Sequence, residues 1–253
     1  MLTNDSELKN TEKILIDTEI SNIFDNEYDI TKIQHIINIP EKILVYDNIF
    51  TEDEVDKFIV LLETNGFINY GNPLRSKFIA RIPFLNQLLL KRILNIIPKE
   101  YDNSWSFTSI NDCFRCVKCN SGSYLNTHFD MTTIKSINEQ SKYTIMFYLS
   151  NNDDGPTYFD DYDLNILPKK GRIIIFDQKL KHSGKINSTL KYLLRSELYY
   201  ERKEKNTNID DVKAVEIYFS ALNINSTNPT KAFQLEEIAF KMSETLEEMI
   251  YNL

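Results

Sequence analysis

Tyr143-Thr-Ile-Met-Phe-Tyr-Leu149, then Asn151-Asn-Asp-Asp-Gly-Pro156, then Gly171-Arg-Ile-Ile-Ile-Phe176 set the texture of the middle of this chain. Short runs of β-branched and aromatic residues broken by Asn, Asp, Gly and Pro clusters are the pattern of an all-β sandwich or barrel. The pattern extends from Trp105 to about Tyr200, with strands expected over 113–119, 143–149, 171–176 and 190–200. Further turns are expected at Asn120-Ser-Gly122 and Pro168-Lys-Lys-Gly171. Upstream, Ile43-Leu-Val-Tyr46 reads as a short strand. Thr51 with Glu54 three residues on predicts a capping box, with Phe50 placed to staple onto Val55. The helix it opens carries Val55, Phe58, Ile59, Leu61 and Leu62 on one face and ends at Asn65-Gly66. A second helix is expected from about Pro83 to Ile97, stopped by Pro98.

The flanks read differently. Residues 1–39 are polar and form an N-terminal extension without a strong period. Beyond Arg202 a charged linker leads to 211–222, which suits either a strand or a helix. Residues 231–253 are helical by period, with Phe233, Ile238, Met242, Leu246 and Met249 or Ile250 on one face. The expected division is therefore an extension over 1–39, a domain over 40–202 with helical support at 51–97 and a β core at 105–202, and a C-terminal extension over 203–253.

Composition bounds the rest. At 42% hydrophobic and 12% aromatic over 253 residues the chain can bury a sizeable core, which excludes a largely disordered protein. A net charge of −8 weighs against a general nucleic-acid binder, which needs clustered cations. Three cysteines make no disulfide framework and point to a reducing compartment. The N-terminus has no basic segment followed by an apolar one, and no apolar window approaches a bilayer span, so a soluble intracellular protein without membrane contact is expected.

Only His35, His128 and His182 are available for imidazole chemistry. His128-Phe-Asp130 is a His-x-Asp pair; on a strand, i and i+2 project to the same face and can converge on one ion. With His182, beside the expected strand ending at Phe176, it makes two imidazoles and one carboxylate, the facial triad of non-haem Fe(II) oxygenases. Alone, His-x-Asp is a weak signal, and a turn histidine beside a helix-capping aspartate is the competing reading. Downstream, Lys191, Leu193 and Arg195 share one strand face. A cation projecting into a barrel is costly unless it meets an anion; Lys191 suits the far carboxylate of a dicarboxylate co-substrate, and Arg195 is the second choice. Cys113-x-x-Cys116-x-x-Cys119 has metal-ligand spacing, but on a strand these positions alternate faces, so small buried residues are the favoured reading. His35 lies in a polar segment without partners and reads as structural.

In order along the chain come Phe114-Arg115, Gly122-Ser-Tyr124, His128-x-Asp130, Tyr143-Thr144-x-Met-x-Tyr148-Leu149, Asp154-Gly155-Pro-Thr157-x-Phe159, Pro168-Lys-Lys-Gly171, His182 and Lys191-Tyr-x-x-Arg195-Ser. Over roughly residues 40–202 this resembles the prolyl 4-hydroxylase-type branch of the 2-oxoglutarate- and Fe(II)-dependent dioxygenases. The resemblance implies an α+β, mainly β fold: a double-stranded β-helix, or jelly roll, supported by N-terminal helices and followed by a C-terminal helix. It implies iron held by His128, Asp130 and His182, 2-oxoglutarate bound by Lys191 with hydroxyls from Thr144 and Tyr148, and O2 as oxidant, with ascorbate as an expected reductant. Two departures stand out. The family's Gly-Gly-Glu-Thr turn is Asp154-Gly155-Pro156-Thr157 here, and a tyrosine usual about nine residues before the first metal histidine is Cys119, leaving Tyr148 or Tyr124 to compensate.

The resemblance implies a proline-containing protein or peptide as substrate. A hydroxylase of a free amino acid or another side chain is the second enzyme reading, and a catalytically silent jelly-roll binding module is the reading from another class. The acidic charge weighs against a nucleic-acid demethylase of the same superfamily. The oligomeric state is left open.

Overall fold

The computed structural model describes residues 13–14, 17–69 and 71–251. Most of the expected extension before residue 17 lies outside them, as do residues 252 and 253. In chain order the strands are β1 (Lys13–Ile14), β2 (Gln34–Ile39), β3 (Ile43–Asp47), β4 (Ile68–Asn69), β5 (Arg75–Arg81), β6 (Glu100–Tyr101), β7 (Trp105–Ile110) and β8 (Cys113–Cys119). They continue with β9 (Leu125–His128), β10 (Ile134–Ser136), β11 (Glu139–Tyr148), β12 (Thr157–Phe159), β13 (Leu164–Ile166), β14 (Ile173–Asp177), β15 (His182–Gly184) and β16 (Lys191–Arg202). The helices are α1 (Asp17–Ser21), α2 (Glu52–Asn65), α3 (Pro83–Ile93), α4 (Ile209–Ile224), α5 (Pro229–Met242) and α6 (Glu244–Tyr251).

A major sheet runs β1-β5-β8-β16-β11-β14-β3-β2, antiparallel apart from the β1–β5 pair, and faces a minor sheet ordered β13-β12-β15-β9. This is the jelly-roll core expected from the sequence. Strand period 2 decides what each sheet face does. Ile145 and Phe147 of β11, Ile173 and Ile175 of β14, and Leu194 of β16 point outward into the larger core, which Val55, Phe58 and Leu62 of α2 and Leu85, Leu88 and Leu89 of α3 cover. Met146 and Tyr148, Ile174 and Phe176, and Leu193 point inward, between the two sheets. Central strands buried on both faces therefore read as near-continuous apolar runs such as Ile173-Ile-Ile-Phe176.

The capping box at Thr51 is formed as expected, and the Glu54 carboxylate also pairs with the buried Arg92 of α3 at 2.6 Å, locking α2 to α3. Several details differ from the sequence reading. β2 pairs with β3, so the sheet begins before residue 40. β5 was not expected: its half-polar Arg75-Ser-Lys-Phe-Ile-Ala-Arg81 acquires its strand character from pairing with β8. Residues 209–224 are helical, started by the Asn208 side chain, which accepts from the Asp210 amide. The final helical segment breaks at Ser243, whose hydroxyl accepts from the Leu246 amide and so caps α6. Its expected apolar face is only partly used: Phe233 and Ile238 are 61% and 50% exposed, while Ala232 and Ala239 are buried. Small side chains that allow close approach to α4 set the buried face here. No helix among the described residues is long and apolar enough to cross a membrane.

Candidate active site

The minor sheet supplies both imidazoles. His128, the last residue of β9, lies directly opposite His182, the first residue of β15, and the ring centroids are 4.3 Å apart. Each Nδ1 faces a backbone carbonyl: Asn126 O at 2.8 Å for His128 and Leu180 O at 3.0 Å for His182. A carbonyl only accepts, so Nδ1 carries the proton and each Nε2 turns a lone pair toward the other sheet. Burial, partly offset by Asp130, pushes the His182 pKa down, which favours the neutral ring that a metal ligand requires.

Asp130 follows β9 in a loop rather than on the strand, so convergence of the His-x-Asp pair comes from the chain turning across the gap between the sheets. Its carboxylate is almost fully buried and is held from the major sheet: Thr144 Oγ1 donates to Oδ2 at 2.5 Å, and Arg195 Nη2 lies 2.8 Å from Oδ1. Burial alone would raise its pKa, but Arg195, His182, the Thr144 hydroxyl and His128 together hold the carboxyl below the usual aspartate value. The two Nε2 atoms lie 3.7 and 3.8 Å from the Asp130 oxygens. That is too long for hydrogen bonds, but ligand bonds of about 2.1 Å to a shared ion put their ends roughly 3–3.7 Å apart. The donor set is right for a transition metal: two neutral imidazoles with fixed tautomers and one ionised carboxylate oriented by outer partners. It is the one group of three or more such side chains that fits an ion among the described residues.

A cavity opens beside this cluster, lined on the major-sheet side by Arg75, Cys119, Met146, Lys191, Leu193 and Arg195. Lys191 is only 5% exposed; its Nζ donates to Gly155 O at 2.8 Å, and burial lowers its pKa. That carbonyl belongs to the glycine retained in the turn at residues 154–157. Gly155 has φ +61°, and a Cβ there would sit 2.6 Å from the Asn187 Cβ, so only glycine lets the turn close on this wall.

The other site residues expected from the sequence fall in distinct places. Thr144 points inward with Met146 and Tyr148, but its hydroxyl is spent on Asp130. Tyr148 lies beneath the cavity: its hydroxyl bonds to Thr157 Oγ1 at 2.6 Å and donates to Ile166 O at 3.1 Å, which braces the major sheet against β12 and β13. Both hydroxyls are thus engaged by protein groups. Tyr124 stands at the mouth, 56% exposed. Arg195 is on the same strand face as Lys191, paired with Asp130. Cys116 faces the outer core while Cys119 faces the cavity, as strand alternation requires of that run. Sequence reasoning missed Arg75, because only the unforeseen β5–β8 register puts it opposite Cys119.

No family model matches the chain, and no curated protein matches it. Among solved structures, it is similar to the viral collagen prolyl hydroxylase of Paramecium bursaria Chlorella virus-1 in complex with 2-oxoglutarate: 20% identity, 65% of this chain and 97% of that one, TM-score 0.50. It also matches a Trichoplax adhaerens prolyl hydroxylase bound to a hypoxia-inducible-factor peptide, at 17% identity over 64% of this chain and 84% of that one, TM-score 0.48. HygX from Streptomyces hygroscopicus, with nickel and 2-oxoglutarate bound, matches at 14% identity over 64% and 84%, TM-score 0.47. The likeness to the viral enzyme establishes a shared fold.

Proposed function

We propose that this chain is an Fe(II)- and 2-oxoglutarate-dependent dioxygenase that hydroxylates a substrate C–H bond, with peptidyl proline in a protein as its first candidate substrate. The observation that carries this reading is the His128–Asp130–His182 cluster, its tautomers fixed and its carboxylate ionised, on a jelly roll with a buried lysine in the adjoining cavity. His128 Nε2, His182 Nε2 and Asp130 would hold the metal. Bound Fe(II) supplies the activation of O2 that couples decarboxylation of 2-oxoglutarate, to succinate and CO2, to conversion of C–H into C–OH.

The remaining roles belong to the protein. Thr144 and Arg195 keep Asp130 in place and ionised. Lys191, buried and charged, takes the far carboxylate of 2-oxoglutarate, so a diacid of fixed length spans from the metal to the cavity floor. Met146, Phe176 and Leu193 keep that floor dry. At the mouth Tyr124 and Leu125, with the exposed Phe129 and Met131 flanking Asp130 in the chain, present apolar surface that suits a peptide segment. Ascorbate as a reductant belongs to the same reading.

The test is 2-oxoglutarate turnover to succinate with Fe(II), comparing wild type with His128→Ala and Lys191→Ala. Turnover is expected in wild type, lost with His128→Ala, and recovered only at raised 2-oxoglutarate with Lys191→Ala. Undiminished turnover in His128→Ala would refute the metal assignment. An inert wild type that still binds proline-rich peptides would favour a silent binding module. A 16 Da mass gain on a proline peptide, with and without ascorbate, tests the substrate and the reductant.

A further inference from the structure

Arg75, Cys119 and Lys191 form one cross-strand row: Cys119 of β8 lies opposite Arg75 of β5 on one side and Lys191 of β16 on the other. All three face the cavity. With Arg195, the two cations of this row make three that line a space in which Asp130 is the only carboxylate among the described residues. Arg195 pairs with Asp130, and Lys191 is assigned to the co-substrate in the oxygenase reading. Arg75 is left over. Its Nε is buried without a hydrogen-bond partner. A half-buried guanidinium with a buried, unpartnered Nε is costly to leave uncompensated, and arginine is a cation under all ordinary conditions, so this arrangement favours an anion in the cavity.

Depth separates that anion from the co-substrate. Lys191 is buried, whereas Arg75 is half-buried and follows the exposed Leu74, which lines an adjoining surface pocket together with Tyr124 and Leu125 of the cavity mouth. We propose that Arg75 is a specificity-determining residue that grips a carboxylate of the substrate, so that the molecule hydroxylated carries an acidic group close to its reacting carbon. The planar five-donor fork of arginine matches a carboxylate bidentately, which an amide cannot reproduce. The carboxylate has two sources, the free α-carboxylate of an amino acid or an acidic residue beside the target in a peptide. This proposal rests on the oxygenase reading.

Calorimetry on the Mn(II)-loaded protein tests it directly. The first measurement is 2-oxoglutarate affinity in wild type, Arg75→Met and Lys191→Met. The second, on the 2-oxoglutarate complex, compares each free L-amino acid with its amide, and Gly-Asp-Pro-Gly with Gly-Asn-Pro-Gly. The expected result is an acid-over-amide preference of about 10- to 100-fold in wild type, the range for a hydrogen-bonded charge pair. It should vanish in Arg75→Met and be partly restored in Arg75→Lys, while 2-oxoglutarate affinity changes less than about twofold in Arg75→Met and falls in Lys191→Met. Preference for the free amino acids assigns the α-carboxylate; preference for the Asp peptide assigns the side chain. Equal binding of acids and amides overturns the proposal, as does a loss of 2-oxoglutarate affinity in Arg75→Met matching that in Lys191→Met. Wild type that binds no 2-oxoglutarate removes the oxygenase reading and this assignment together; wild type that binds it without preferring acids removes only the assignment.

Discussion

Thr144 decides how Asp130 stands. Its hydroxyl donates to Oδ2 at 2.5 Å from the inner face of β11. Such outer partners typically contribute 10- to 100-fold to metal affinity, so Thr144→Val should weaken Mn(II) binding by about that factor. The buried hydrogen bond lost should lower unfolding stability by about 1–2 kcal/mol, and calorimetry with urea titration separates the two effects. At this scale the grouping of His128, Asp130 and His182 was legible because histidine is scarce, and strand spacing puts Lys191 and Arg195 on one face. The directness of the His128–His182 pair was not, since cross-strand register is set by distant partners. Arg75 was hidden for the same reason. The hydroxyls of Thr144 and Tyr148 could be placed on the inner face from sequence, but which acceptor each would find depends on a loop and on a second sheet.

Among the elements, the link before β14 is the least forgiving. Gly171 has φ +75°, its carbonyl accepts from the Ile49 amide at 2.9 Å, and a Cβ there would lie 2.3 Å from the backbone oxygen of Phe50. Gly171→Ala therefore strains the turn and forces β14 away from the start of α2. A loss of more than about 2 kcal/mol is expected in urea unfolding. The α4–α5 pair gives the opposite case. Phe233→Ser and Ile238→Ser should change stability by less than about 0.5 kcal/mol, whereas Ala239→Leu should cost about 1–3 kcal/mol by overfilling a closed contact. The capping box at Thr51 and the apolar strand runs could be read directly, because both are local. The break at Ser243 and the alanine-lined face of α5 could not, because a periodic apolar pattern does not say which of its residues the neighbouring helix will cover.

Across the whole molecule, acid stability depends on groups such as Asp47, which ties β3 to the segment before β14. Arg172 Nε and Nη2 reach its two oxygens at 2.6 and 3.1 Å, and Lys169 Nζ reaches Oδ2 at 2.7 Å. Burial pushes this carboxyl up, but Arg172 and Lys169 outweigh it and hold the folded pKa below the ordinary aspartate value. A lowered folded value contributes stability above the unfolded pKa of about 3.9, and that contribution disappears as pH falls through the folded one. Asp47→Asn should therefore cost about 2 kcal/mol near neutral pH, and the gap to wild type should close below about pH 4 in urea titrations. The jelly roll was legible from strand texture and motif order; its start at β2 and the place of β5 were not, because polar edge strands are defined by what they pair with. The same sheet arrangement has a thermodynamic corollary. Both imidazoles ride on the short minor sheet, while the carboxylate is moored to the major one, so an ion held by all three would act as a clasp across the barrel. Occupancy and closure would then be linked, and amides of β9 and β15 should exchange with solvent more slowly as metal concentration rises, by the increment that mass action assigns to the ion.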